Sequence, residues 1–111
     1  KWTALFEAFV KGEKITPRVA TEVHGDDLAA AIALLLNVDE RTLREFGHCP
    51  IFTVSDIVLD RRELLAAYAA KNKLERTLPE AADRSSLGVM DCSRLCGLGW
   101  KPRGNLDLKG F

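Results

Sequence analysis

Apolar side chains recur at helical spacing in two stretches of the chain. Over residues 2–10 they fall at positions i, i+3, i+4, i+7 and i+8, which predicts a helix with one apolar face. Gly25 or Asp26 is predicted to cap a second helix that runs to about Leu36, with Asp26 and Asp27 in its first turn, where carboxylates accept from free N–H groups. We expect its buried face to consist of Leu28, Ile32, Leu35 and Leu36.

Strand patterns lie between and after these helices. Residues 19–24 predict a short strand. Residues 50–59, PIFTVSDIVL, give the strongest strand pattern because they are rich in β-branched and apolar side chains. The sequence GVMD, residues 88–91, is compatible with a last short strand.

Three further helices are predicted from their capping residues. Asp39 can cap a short helix that ends at Gly47. Asp60 begins a capping-box pattern in front of a helix that should reach about Lys71. Residues 93–100, SRLCGLGW, predict a short helix that ends at glycine.

The alternation of strands and helices indicates an α/β fold. The strong strands are too few for a complete doubly wound sheet, so we expect the chain to lean on a larger sheet. The chain begins with Lys1 and Trp2 inside a predicted helix, and its single methionine is Met90. We interpret it as a piece of a longer protein.

Composition narrows the possible partners. A length of 111 residues predicts one domain, and 16 basic residues balance 16 acidic ones, so the formal net charge is zero. Modules that bind nucleic acid or membrane surfaces usually carry a basic excess, so we expect neither partner. No apolar run approaches the roughly 20 residues that span a bilayer. Three cysteines do not make a disulfide framework, which predicts a reducing, cytoplasmic setting.

Candidate chemical groups are few. Cys92 and Cys96 lie four residues apart on a predicted helix, but a zinc site needs a second ligand pair, and packed cysteines are the more usual interpretation. Arg61 and Arg62 are interpreted as a solvated helix start. No glycine-rich phosphate loop is present. The residues alone assign no catalytic, cofactor-binding or metal-binding group.

Four segments in order carry a more specific signal: WTALFEAFVKGEKI, TEVHGDDLAAAIALLL, IFTVSDIVLDRRELLAAYA and MDCSRLCGLGWKPRGNLDLKGF. The second resembles a V-H-x-D-D-L-A stretch, the third an F-N-V…S-x-x-E-L strand and helix, and the fourth a D-x-S-K/R-L-x-x-L-G-W-x-P ending. These stretches are typical of the extended short-chain dehydrogenases/reductases, the NAD(P)-dependent epimerase/dehydratase family. The resemblance implies that residues 1–111 form the C-terminal substrate-binding portion of a Rossmann-type α/β enzyme, incomplete on its own.

The resemblance also implies an activity and a site. The enzyme would be an NAD(P)-dependent epimerase, dehydratase or reductase that acts on a nucleotide-sugar or a related small polar substrate. NAD or NADP would be bound mainly by a part outside this chain, and upstream helices would form a homodimer. The family's Tyr-x-x-x-Lys pair is absent, and Tyr68, with lysine at i+3, receives no catalytic role. The substrate-binding residues implied are Ile15, Thr16, Pro17, Arg18 and Arg84.

Two alternatives stay open. A non-catalytic dinucleotide-binding sensor or scaffold of the same fold is favoured by Ala20, where several members have arginine, and by Thr53, where asparagine is usual. A free-standing α/β interaction protein would unfold cooperatively as a monomer. The enzyme portion and the sensor or scaffold both predict an exposed apolar face that includes Trp2, Phe6 and the strand Ile51–Leu59.

Overall fold

The computed structural model describes residues 1–111 as five helices joined by loops and two short strands. The elements are α1 (Thr3–Val10), β1 (Val19–Glu22), α2 (Gly25–Asn37), α3 (Glu40–Arg44), β2 (Ile57–Asp60), α4 (Arg61–Asn72) and α5 (Ser93–Gly97). The two strands pair with each other in antiparallel fashion. None of the five helices combines the length and apolar character needed to cross a bilayer.

The chain packs as two compact units, and the division between them falls inside both strands. The first unit consists of Lys1–Ala20, Val58–Gly88 and Leu106–Phe111. The second unit consists of Thr21–Ile57 and Val89–Asn105.

Aromatic side chains join α1 to α4 in the first unit. Phe6 and Phe9 are buried on α1, as the helical spacing predicts. The ring of Phe6 stacks on Tyr68 with 4.0 Å between centroids, and Phe9 meets Tyr68 edge-on at 6.5 Å. Each such pair contributes about 0.5–1.5 kcal/mol beyond the area it buries. The expectation that Phe6 is exposed is therefore wrong, because α4 covers it.

Asp60 ends β2 and begins α4, and its side chain is almost fully buried, at 1% exposure. One carboxylate oxygen accepts from the backbone N–H of Arg62 at 2.9 Å, which caps the helix. The other accepts from the backbone N–H of Ala82 at 2.9 Å. A buried carboxylate is tolerated only when hydrogen bonds replace its hydration, and both oxygens here have a donor.

The core of the second unit forms around Trp100 and Leu95, which pack with Ala31 of α2. The indole N–H of Trp100 donates to the backbone carbonyl oxygen of Asp27 at 2.8 Å. The buried carboxylate of Asp27 lies 3.7 Å from Nε of Arg103. These contacts fasten the segment after α5 to the first turn of α2.

The start and the buried face of α2 differ from the prediction. The cap is His24, whose Nδ1 accepts from the backbone N–H of Asp26 at 3.1 Å. Ala31 is fully buried, whereas Leu28, Ile32 and Leu36 are exposed.

The reason lies in the composition of α2. Every position from Leu28 to Leu36 is apolar, so no polar residue marks the outer face and the spacing does not fix which side faces the core. The α2 residue buried with Trp100 is the small Ala31, and Leu34 and Leu35 are partly buried against the same cluster. Of the four leucine and isoleucine side chains expected to be buried, Leu35 alone is half-buried against the core.

The strand predictions were too long. The strand expected over residues 19–24 is Val19–Glu22, and of residues 50–59 only the last part forms a strand, Ile57–Asp60. No strand forms at residues 88–91. Ile51 is exposed, as the expectation of an uncovered face requires, whereas Leu59 is buried.

A side chain takes the place of strand pairing at Ser55. The thiol of Cys92 accepts from the backbone N–H of Ser55 at 3.2 Å and donates to its carbonyl oxygen at 3.3 Å. The hydroxyl of Thr53 donates to the carbonyl oxygen of Asp91. Backbone groups that are satisfied in this way need no neighbouring strand. All three cysteines are free thiols.

Replacing Asp60 with alanine should lower the free energy of unfolding by about 2–3 kcal/mol, because it removes a helix cap and leaves the partly buried N–H of Ala82 without its acceptor. Urea unfolding followed by circular dichroism measures this. Asp83→Ala is the control, since Asp83 is an exposed carboxylate that bonds the backbone N–H of Ser85. An equal loss in both variants would contradict the role assigned to Asp60.

Asp39 caps α3 as predicted, and its pH dependence can be measured. The backbone N–H of Thr42 donates to its carboxylate at 2.7 Å and holds the pKa of Asp39 below the usual value. Because the folded pKa lies below the unfolded one, the stabilisation is present above the unfolded pKa and disappears as pH falls through the folded pKa. NMR titration of the carboxyl carbon should show a low midpoint, and Asp39→Asn should remove this part of the acid-side loss of stability.

Candidate functional site

A cleft of about 700 Å³ opens in the first unit. Residues 12–15 and Pro17 form one wall, residues 75–80 form the other, and Phe9 also lines the space. Small-molecule sites usually measure about 300–1,000 Å³ and combine apolar surface with a few polar groups. The size and the lining therefore suit a small ligand.

Each wall begins just after a helix, at a residue whose backbone lies in the left-handed region of φ/ψ space. Gly12 follows α1 with φ +77°, and Lys73 follows α4 with φ +53°. The next N–H in each case reaches back into the helix: Glu13 donates to the carbonyl of Ala8 at 3.0 Å, and Leu74 donates to that of Ala69 at 2.9 Å. These bonds are the signature of a Schellman motif, which turns the chain sharply away from the helix axis. The prediction that Gly12 stops α1 is confirmed.

The first turn of α4 fastens both walls. The guanidinium of Arg61 donates to the carbonyl oxygen of Thr16 at 2.9 Å. The guanidinium of Arg62 donates to the carbonyl oxygen of Pro79 at 2.8 Å. Two consecutive arginines thus hold loops that are far apart in the sequence. The interpretation of this pair as a solvated helix start is corrected, because each guanidinium bonds a backbone carbonyl.

Charges of both signs line the cleft. Lys14 and Arg76 are the cations, and Glu13, Glu75 and Glu80 are the carboxylates. All five side chains are exposed, and none of them forms an ion pair or hydrogen bond inside the chain. Their donors and acceptors are available to a ligand. No group of three or more histidine, cysteine, aspartate or glutamate side chains is placed to hold a metal ion.

Two of the predicted substrate-binding residues lie in the cleft. Ile15 and Pro17 line it. Thr16, between them, is exposed and uses its carbonyl oxygen to accept from Arg61. Arg18 is exposed and is not among the lining residues.

The cation that lines the far wall is not the one that the sequence suggested. Arg84 does not line the cleft, and its guanidinium lies 3.1 Å from the carboxylate of Glu63. Arg76 does line it. Sequence reasoning missed Arg76, which lies between the segments that carry the resemblance, and Lys14, which lies inside the first of them but is not assigned to the substrate. The adjacency of Lys14 to the predicted residue Ile15 was the available signal.

Comparison with protein-family models, with curated proteins and with solved structures gave no match. The likeness to extended short-chain dehydrogenases/reductases therefore rests on the four sequence segments.

Opposite effects are expected at the two helix ends that open the cleft. Lys73→Gly should raise the free energy of unfolding by about 0.5–1 kcal/mol, because glycine adopts the left-handed region without the strain of a Cβ atom. Gly12→Ala should lower it by about 1 kcal/mol for the same reason. Thermal unfolding of both variants measures the two changes in stability. A change of the same sign in both would contradict the left-handed backbone assigned to both residues.

Proposed function

We propose that this chain is the substrate-binding portion of an NAD(P)-dependent epimerase, dehydratase or reductase, and that the cleft holds its small polar substrate. The carrying observation is that Ile15 and Pro17, which the resemblance assigns to the substrate, line a cleft together with the unpaired cations Lys14 and Arg76.

The lining suits a ligand rich in hydroxyl groups. Ile15, Pro17 and Leu78 offer apolar contact to the C–H faces of a sugar ring. Glutamate carboxylates accept hydrogen bonds from hydroxyl groups, and guanidinium and ammonium groups donate to oxygen acceptors. Such residues orient a substrate and exclude water from it.

The proposal gives this chain no catalytic residue. The nicotinamide cofactor, bound mainly by residues outside this chain, supplies hydride transfer. Tyr68 stacks on Phe6 in the aromatic core, in keeping with a structural role.

The proposal also includes an α/β fold that is incomplete on its own. An isolated two-stranded sheet is marginally stable in water, and the pair β1–β2 has no further strand. Leu36 and Ile51 in the second unit are 81% and 75% exposed. Exposed apolar surface of this kind marks an interaction site, which supports a larger sheet against which the second unit packs.

A non-catalytic dinucleotide-binding sensor or scaffold is the second candidate. Ala20 favours it, because this position provides no cation for a phosphate or sugar. Thr53 favours neither candidate, since its hydroxyl is engaged by the carbonyl oxygen of Asp91.

The full-length protein that contains this chain tests the proposal. NADH or NADPH should bind in a fluorescence titration, and a panel of sugars, sugar acids and nucleotide-sugars should contain a compound that is turned over with NAD or NADP. Ile15→Glu should raise KM more than it lowers kcat, with cofactor affinity unchanged, because it places a charge in the cleft. Ala4→Glu, at an exposed position of α1 outside the cleft, is the matched control. Cofactor binding without turnover would favour the sensor, and the absence of cofactor binding would overturn both candidates.

A further inference from the structure

We infer that the cleft selects a hydroxyl-rich ligand with a single negative charge, a sugar acid or hydroxy acid, whose carboxylate is held by Arg76 and Lys14. This inference rests on the proposed function, since that proposal makes the cleft a substrate site. It narrows the substrate class and excludes a diphosphate-bearing nucleotide-sugar as the preferred ligand.

The arrangement of charge in the cleft carries the inference. Each wall presents a carboxylate directly before a cation in the sequence, Glu13 before Lys14 and Glu75 before Arg76, and Glu80 adds a third carboxylate. Carboxylates therefore outnumber cations. A diphosphate would bring two negative charges toward three carboxylates, and like charges at short range repel. A monoanion presents a single carboxylate to Arg76 and Lys14 and leaves the glutamates to accept from hydroxyl groups.

Arg76, and not Arg84, is the guanidinium that is free to bind. Arg84 is engaged by Glu63 at 3.1 Å and does not line the cleft. Arg76 has no partner within the chain. A guanidinium fork matches a carboxylate with two parallel hydrogen bonds, whereas the ammonium of Lys14 acts as a point charge.

The walls that carry these charges are both hydrogen-bonded to α4. Arg61 holds the wall of Lys14 through the carbonyl of Thr16, and Arg62 holds the wall of Arg76 through the carbonyl of Pro79. Because both bonds originate on one helix, the spacing between the walls is set by α4. Preorganisation of this kind reduces the entropy lost on binding.

Calorimetric titration of the full-length protein, saturated with NAD, tests the inference with four probes. Glucuronate carries one carboxylate, glucose is its neutral counterpart, glucose 1-phosphate carries a phosphate monoester, and UDP-glucose carries a diphosphate. Glucuronate should bind most tightly. Arg76→Gln should weaken glucuronate about tenfold or more, the effect expected from a lost charge-assisted pair, and should leave glucose unchanged. Arg41→Gln, an exposed arginine on α3 outside the cleft, should change neither.

The outcomes separate this inference from the proposed function. Tighter binding of UDP-glucose or glucose 1-phosphate than of glucuronate would overturn the inference. So would a loss of glucuronate affinity in Arg84→Gln with no loss in Arg76→Gln. Absence of glucuronate binding would overturn it as well. Failure of the proposed function appears in a different measurement, as absence of NADH and NADPH binding. Arg76→Lys keeps the positive charge but loses the forked guanidinium. An intermediate loss of glucuronate affinity in this variant, with an unchanged melting temperature, further supports the role assigned to Arg76.

Discussion

The buried carboxylate of Asp60 is the constraint on which the first unit depends. It lies where β2 becomes α4, and its two oxygens bind one N–H on the helix and one on the distant segment at Ala82. Because Arg61 and Arg62 follow immediately, the position of Asp60 also sets the positions from which both guanidinium groups reach the walls of the cleft. Without compensating donors a buried carboxylate would be strongly destabilising, so the whole arrangement has to form together.

The second unit uses the same device. Asp27 is a second buried carboxylate at the start of a helix, and it also binds a segment from much later in the chain, here through Arg103. The indole of Trp100 bonds the backbone of the same aspartate. In both units, an acid that favours the N-terminus of a helix serves as the anchor for irregular chain. This explains how a molecule with two short strands orders so many loops.

The sequence predicted local features well and long-range ones poorly. Helix ends at Gly12, Asp39 and Asp60 were correct because capping depends on a few neighbouring residues. The buried side of α2 was predicted wrongly. In an unbroken apolar run, tertiary contacts decide which side of the helix faces the core. Within residues 50–59 the thiol of Cys92 bonds both backbone groups of Ser55, a long-range contact that no local pattern reveals. Ile15 and Pro17, which the resemblance names, line the cleft, whereas Arg76 was not predicted because the segment that carries it meets the opposite wall only in the folded chain.

The proposed class of ligand follows from which charged side chains line the cleft and which do not. In the family that the sequence resembles, an arginine shortly before the V-H-x-D-D stretch often binds phosphate or sugar, and an arginine in the loop before the final D-x-S often binds pyrophosphate. Ala20 removes the first here, and Glu63 engages Arg84, the nearest match to the second. The charges that line the cleft instead belong to neighbouring positions, and carboxylates exceed cations among them. Loop residues can change in this way without disturbing the helices that hold them, so a fold can keep its frame while its substrate class changes.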